Sequence, residues 1–322
     1  MITTLQALRP TPIAVADHYL RTMSTDIEAT ARTIHDLLRS ASVSSPRHRA
    51  LHAKGTMAEG TFTPSGALGG RTTAPHLVSE PSAATVRFSH PGGDPTVADA
   101  VPSGRGMAVK LRTGAGPHDL VGVSSPAFLV RDGASFLELL AARAPDPGTG
   151  APDPARMLAF VEAHPESLPA VQAAMAARVP ASYATLAYNG LHTFFLVDAV
   201  GERHPFRWTL APVGGEVFLD DPPADLDLGV ELAARVASGA AFDLVLHLGE
   251  PDDPTDDPTA VWPERPTLVA GRLELVGIVD EASPVIFDPT NVVDGIALPD
   301  DDEVLQLRWA TYGLSYTART SS

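Results

Sequence analysis

Eight short runs rich in aliphatic, aromatic and β-branched residues, each bounded by Gly or Pro, restrict this chain more than any other feature. They cover 85–89, 106–113, 119–124, 127–132, 191–200, 204–213, 242–248 and 268–279. Four precede and four follow a stretch, 134–178, that is rich in helix formers but interrupted by Pro145, Pro147, Pro152, Pro165 and Pro169, so no helix can run through it unbroken. Two sets of strands with helices between them predict an α+β architecture around a barrel or a sandwich.

Around this frame the texture changes. Apolar residues at helical spacing between 13 and 41, such as Ile27, Ala31, Ile34, Leu37 and Leu38, predict one or two amphipathic helices. Residues 46–70, with many Gly, Ser and Thr, predict irregular chain or short strands. A helix is expected at 228–238, a solvated Pro/Asp-rich loop at 249–266, and a closing helix at 300–311 led by acidic residues suited to its N-terminus. No linker separates two cores, so the expected division is an N-terminal helical arm, 1–45, and one main domain, 46–322.

Composition narrows the function. With 44% hydrophobic and 19% charged residues the chain lies in the globular range. Its 23 basic and 39 acidic residues leave a net charge of −16, which disfavours nucleic acid and anionic membrane surfaces as partners. No apolar run is long enough to span a bilayer and the N-terminus carries no secretory pattern, so a cytoplasmic location is expected. The absence of cysteine removes disulfides, thiolate metal ligands and thiol nucleophiles together.

Several local patterns carry little. His48 and His52 sit four apart, yet no glutamate follows the first as in zinc peptidases. The run Gly122-Val123-Ser124-Ser125-Pro126 ends in proline where a nucleophile elbow needs glycine. Gly66, Gly69 and Gly70 do not form a dinucleotide fingerprint, and no phosphate-binding loop motif exists.

A series of segments in fixed order is more informative. It comprises Arg49-Ala50-Leu51-His52-Ala53-Lys54-Gly55, Val86-Arg87-Phe88-Ser89, Arg105-Gly106-Met107-Ala108-Val109-Lys110 and Asp119-Leu120-Val121-Gly122. After these come Ser125-Pro126-Ala127-Phe128-Leu129-Val130-Arg131-Asp132, His192-Thr193-Phe194, Phe287-Asp288-Pro289-Thr290-Asn291 and Arg308-Trp309-Ala310-Thr311-Tyr312. In this order and spacing, from about Pro46 to Arg319, the chain resembles the haem catalase superfamily and, within it, the minimal members of the catalase-related peroxidase type. The resemblance implies an eight-stranded antiparallel β-barrel with flanking helices, and haem b buried between the barrel, the N-terminal segment and the C-terminal helix. It implies neither the C-terminal extensions of large catalases nor NADPH binding.

Carried over residue by residue, the resemblance makes His52 the distal histidine, a proton shuttle suited to neutral pH, and Ser89 the partner that fixes its tautomer. Tyr312 matches the axial tyrosine, with Arg308 one helical turn earlier to stabilise its phenolate. Arg49, Arg87 and Arg319 match arginines that pair with haem propionates, and Phe136 a phenylalanine over the distal face. One position departs: Ser124 stands where dismuting catalases carry a distal asparagine, so positioning of a second hydrogen peroxide should suffer and organic hydroperoxides become attractive. The expected activity is therefore a haem peroxidase using peroxide and a small-molecule reductant, in a homodimer. A true catalase, a fatty acid hydroperoxide isomerase or dehydratase, and a non-catalytic haem carrier are the alternatives.

Overall fold

The computed structural model describes residues 25–42, 48–146, 148–280 and 284–321. Among them, strands β1 (Gly55–Pro64), β2 (Ser82–Ser89), β3 (Gly106–Thr113), β4 (Gly116–Val123), β6 (Tyr188–Val197), β7 (Arg203–Pro212), β9 (Ala241–Leu248) and β10 (Thr267–Val279) form one antiparallel sheet. Its order is β6-β4-β3-β2-β1-β10-β9-β7, and β7 pairs back onto β6, from Val197↔Arg203 to Tyr188↔Leu210. The sheet is thus a closed eight-stranded barrel, which leaves no long edge to protect. The two-residue β11 (Ile296–Ala297) pairs with β6, and short β5 (Val179–Pro180) pairs with β8 (Phe218–Leu219) outside the barrel.

Period-two alternation fills the interior. Phe242, Leu244 and Leu246 of β9 point inward with Leu273 and Leu275 of β10, while Arg272 and Glu274 face solvent. Phe62, Phe88, Leu111, Tyr188 and Trp208 complete the largest core cluster. Trp208 lies across the interior because two glycines face it: a Cβ on Gly190 would fall inside the indole, and one on Gly122 would stand 3.0 Å from its far edge. Any larger residue at Gly190 displaces the ring.

Eight barrel strands were expected and eight occur, but their membership differs by one. Run 127–132 is not a strand. Its Phe128 N–H donates to the Pro258 carbonyl, its Asp132 side chain caps the following helix, and Val130 packs with Leu139, Ala142 and Phe160 in a separate cluster. Its place is taken by β1, from the stretch read as irregular chain or short strands. There Gly and Thr dilute the signal, although Ala58, Gly60 and Phe62 alternate inward and Glu59 outward.

The helices follow their punctuation. Region 134–178 becomes α3 (Gly133–Arg143), α4 (Pro154–Ala163) and α5 (Leu168–Met175), with Pro145 and Pro152 between the first two and Pro169 in the first turn of the third. In chain order α2 (Pro75–Val78) falls between β1 and β2, and α6 (Leu228–Ala237), capped by Asp227, between β8 and β9. The closing helix α7 (Glu303–Thr320) outruns its expected end by nine residues and is capped by Asp302, whose carboxylate accepts the Leu305 N–H. Helix α1 (Thr25–Ala41) buries Ala31 and Ile34 against Leu307 and Ala310 of α7, with Phe136 and Leu140 of α3 alongside. The rest of the helical expectation, 13–24, lies outside the described residues. No helix among the described residues is long and apolar enough to cross a membrane.

His76 of α2 and His118 of β4 lie in the barrel core with ring centroids 4.6 Å apart. Burial lowers the His76 pKa from 6.5 to about 4, and burial followed by the neighbouring His76 holds that of His118 well below its ordinary value. An unfolded chain would take up both protons before the folded one, so stability is complete above pH 6.5 and falls as pH drops toward 4. For His76 alone the loss reaches on the order of 3 kcal/mol. Urea melts at pH 7 and pH 4.5 should show this decline, and His76→Phe should flatten it; equal slopes in parent and variant would contradict the assignment.

Candidate active site

Because Val86 and Phe88 of β2 point into the barrel core, Arg87 and Ser89 point out of it, and the same alternation turns Ala108 of β3 and Val121 and Val123 of β4 outward. On this outer face lies a cleft with about 1220 Å³ of empty space, its mouth included. Residues 49–52, α1, Phe136 of α3, α7 and residues 285–287 complete its walls. These are mostly apolar, from Leu38, Met107, Phe128, Ile286 and Phe287. Room of this size, apolar walls and a few convergent polar groups are what a large organic ligand requires.

His52 enters the cleft from a backbone position at φ +55°, the one positive φ among described residues other than glycine. Such conformations cluster at functional sites because surrounding bonds must hold them. Its N–H donates to the Pro91 carbonyl at 3.2 Å, and the next residue, Ala53, donates to Gly92 at 3.0 Å. The ring Nδ1 lies 2.9 Å from Ser89 Oγ. Burial first, and then Arg87, Arg308 and Arg49, hold the His52 pKa near 3, so the ring is neutral across the physiological range. With the proton on Nδ1 donated to Ser89, Nε2 keeps a free lone pair.

Across the cleft, α7 brings Arg308 and Tyr312 to one face. Both Nε and one terminal nitrogen of Arg308 donate to the Tyr312 hydroxyl, at 3.3 and 2.9 Å. The guanidinium also lies over the Phe128 ring, 5.9 Å from its centroid. Behind Phe128, buried His192 meets Asp302 at 2.6 Å, and burial keeps this imidazole's pKa below its ordinary value against the pull of the carboxylate. Asp302 thus ties barrel strand β6 to the start of the helix that carries Tyr312.

Three further arginines face the cleft. Arg49 and Arg319 both donate to the Val285 carbonyl, at 2.7 and 3.4 Å, and Arg87 donates to Ala53 at 3.4 Å. Gly55 makes room for Arg87, since a Cβ there would stand 2.6 Å from the guanidinium carbon. The 285–287 strip is anchored from below: buried Asp119 accepts two bonds from Lys110 at 2.6 Å and the Asp288 N–H at 2.9 Å. Burial raises the Asp119 pKa to about 6 despite Lys110.

Eight of the nine residues singled out from the sequence line this one cleft: Arg49, His52, Arg87, Ser89, Phe136, Arg308, Tyr312 and Arg319. Ser124 does not. Val123 takes the cleft-facing position, and the next side chain turns away so that Ser124 Oγ accepts the Arg105 N–H at 2.8 Å. The pair His192 and Asp302, the Lys110–Asp119 anchor and the α1 residues His35 and Leu38 were given no place in a site, although His192, Lys110 and Asp119 lie in the segments of fixed order and Leu38 in the helical pattern. Asp302 was legible only as an acidic helix start, and nothing in the local sequence announces its partner 110 residues away.

Comparison with known proteins gives the family. The family model for Catalase matches residues 35–229. A catalase-related peroxidase from Mycolicibacterium paratuberculosis is 36% identical over 296 residues, covering 88% of this chain and 93% of its own. Another from Synechococcus elongatus is 33% identical over 84% of this chain and 82% of its own. A catalase from Helicobacter pylori is 31% identical over 84% of this chain but 58% of its own. On the matched residues, the closed barrel and these relatives, the chain belongs to the catalase family.

Proposed function

We propose that this protein is a haem b peroxidase that reduces organic hydroperoxides, and hydrogen peroxide, with electrons from a small reducing cosubstrate. The observation that carries the reading is one cleft holding a neutral, serine-oriented histidine and a tyrosine whose oxygen receives two guanidinium N–H groups. The residues fit the group. A phenol with two N–H donors aimed at its oxygen is equipped to bind iron as an anion, and the apolar walls suit a macrocycle. Arg49, Arg87 and Arg319 supply planar cations for its carboxylates, and Phe136 an aromatic face. When bound, haem b supplies the redox-active iron that a peroxide-cleaving enzyme needs and that no side chain offers.

The chain's own residues supply the proton work. Nε2 of His52 takes the hydroperoxide proton and returns it to the departing oxygen, so that water or an alcohol leaves as a neutral product. Ser89 keeps the proton on Nδ1 and so keeps Nε2 basic. Arg308 holds the Tyr312 oxygen, and Asp302 with His192 sets the base of that helix against the barrel. The Ser124 hydroxyl is engaged with backbone and offers nothing to a second small peroxide, which favours reduction by an external donor over dismutation.

Holoprotein given cumene hydroperoxide and a phenolic dye, with dissolved oxygen followed at the same time, should oxidise the dye and release little oxygen. Copious oxygen from hydrogen peroxide would identify a dismutase, conversion of a fatty acid hydroperoxide without reductant an isomerase or dehydratase, and no turnover a haem carrier. His52→Ala should retain haem and lose peroxide cleavage by about 10²–10⁴-fold; unchanged turnover would remove His52 from the mechanism.

A further inference from the structure

His90 takes part in none of these steps, yet its ring is fixed at both nitrogens. The Gly92 N–H donates to Nδ1 at 3.3 Å, so the neutral ring carries its proton on Nε2, which lies 2.9 Å from Ser103 Oγ. Arg105 braces the other side of Ser103, donating to its carbonyl at 2.8 Å and also to its hydroxyl. This bond encloses Pro91 and closes on Gly92, the two residues whose carbonyls hold the active-site turn: Pro91 accepts from His52 and Gly92 from Ala53. On the same turn the His90 N–H donates to Lys54 at 3.0 Å. His52 adopts a left-handed conformation that residues with a β-carbon rarely occupy, so these bonds define where its ring stands.

We propose that His90 is a positioning residue for His52: through its Nδ1 acceptor it shapes the 90–93 turn whose carbonyls hold His52 in the left-handed conformation that aims Nε2 into the cleft. This rests on the peroxide-cleaving role proposed for His52. The turn has little freedom to compensate, because Gly93 packs so closely that a Cβ there would overlap the Ala50 carbonyl, and the Ser42 hydroxyl donates to the Gly93 carbonyl at 3.1 Å. A consequence follows for acid. Protonated at Nδ1, His90 cannot accept from Gly92, and it adds positive charge beside His52. The charged groups around it are Arg105 and Lys54, which oppose protonation, and Asp99 and Asp94, which favour it; His52 is still neutral when His90 titrates, and it is the His90 charge that lowers the His52 pKa. Burial and Arg105 prevail and hold its pKa at about 4, above the value near 3 of His52. As pH falls, the turn is therefore released before the distal imidazole itself is charged.

The test compares His90→Asn, whose amide oxygen can replace the Nδ1 acceptor without titrating, with His90→Ala, which removes it. In the holoenzyme, His90→Ala should lower the hydroperoxide-cleavage kcat by about 10–10²-fold with the KM for a phenolic reductant unchanged. His90→Asn should restore most of the rate at pH 7 and move the acid limb of the rate from about 4 toward 3. Parent-like kcat and acid limb in His90→Ala would overturn the proposal, as would an unshifted limb in His90→Asn. Nitrogen-15 NMR of histidine-labelled protein, which needs no turnover, should show His90 as the Nε2–H tautomer at pH 7. The Nδ1–H tautomer would refute the assigned bond even in an active enzyme. A parent that gives the expected tautomer yet cleaves no peroxide would instead overturn the peroxidase reading, and with it the positioning role.

Discussion

Closure of the sheet through β6 and β7 is the constraint on which the rest depends. Once the barrel closes, its interior is filled by one set of alternating side chains, and the other set of β2, β3 and β4 must face outward. That outer face is where Arg87, Ser89, Ala108, Val121 and Val123 stand together. The cleft is therefore not a barrel lumen but a space between the barrel wall and the helices laid against it. Trp208 fills the interior behind that wall, slotted between Gly122 and Gly190.

The two chemical ends of the cleft are held by different means. His52 sits on a turn fixed by backbone bonds to residues 91 and 92 and by Ser89. Tyr312 sits on a helix, fixed by its own Arg308 and by the His192–Asp302 contact at the helix start. Four guanidinium groups line the same space in a chain of net charge −16, so the cleft is a basic enclave in an acidic protein. The same positive field, added to burial, keeps His52 neutral. An uncharged imidazole and an anion-seeking pocket thus have one origin.

Much of this was legible in the sequence, for physical reasons that differ by element. The strands of the second set announce themselves by alternation, as in Phe242, Leu244 and Leu246. Arg308 and Tyr312 are readable because a spacing of four places them on one helical face. Strand β1 was obscured by Gly and Thr, and run 127–132 looked like a strand because its apolar residues serve a different core. Contacts such as His192 with Asp302, or Lys110 and Asp119 with the 285–288 strip, join segments far apart in sequence and have no local signature. The turn of Ser124 away from the cleft was foreseeable only as a short side chain near its own backbone.

The central claim is that this cleft binds haem with Tyr312 as the protein ligand of its iron. The measurement that tests it most directly is titration of the purified chain and of Tyr312→Phe with ferric haem b, followed by absorption spectroscopy. The account predicts one haem per chain for the parent with a high-spin ferric spectrum, and in the variant either weaker binding or a changed spectrum. Identical affinity and spectrum in the two proteins would contradict it.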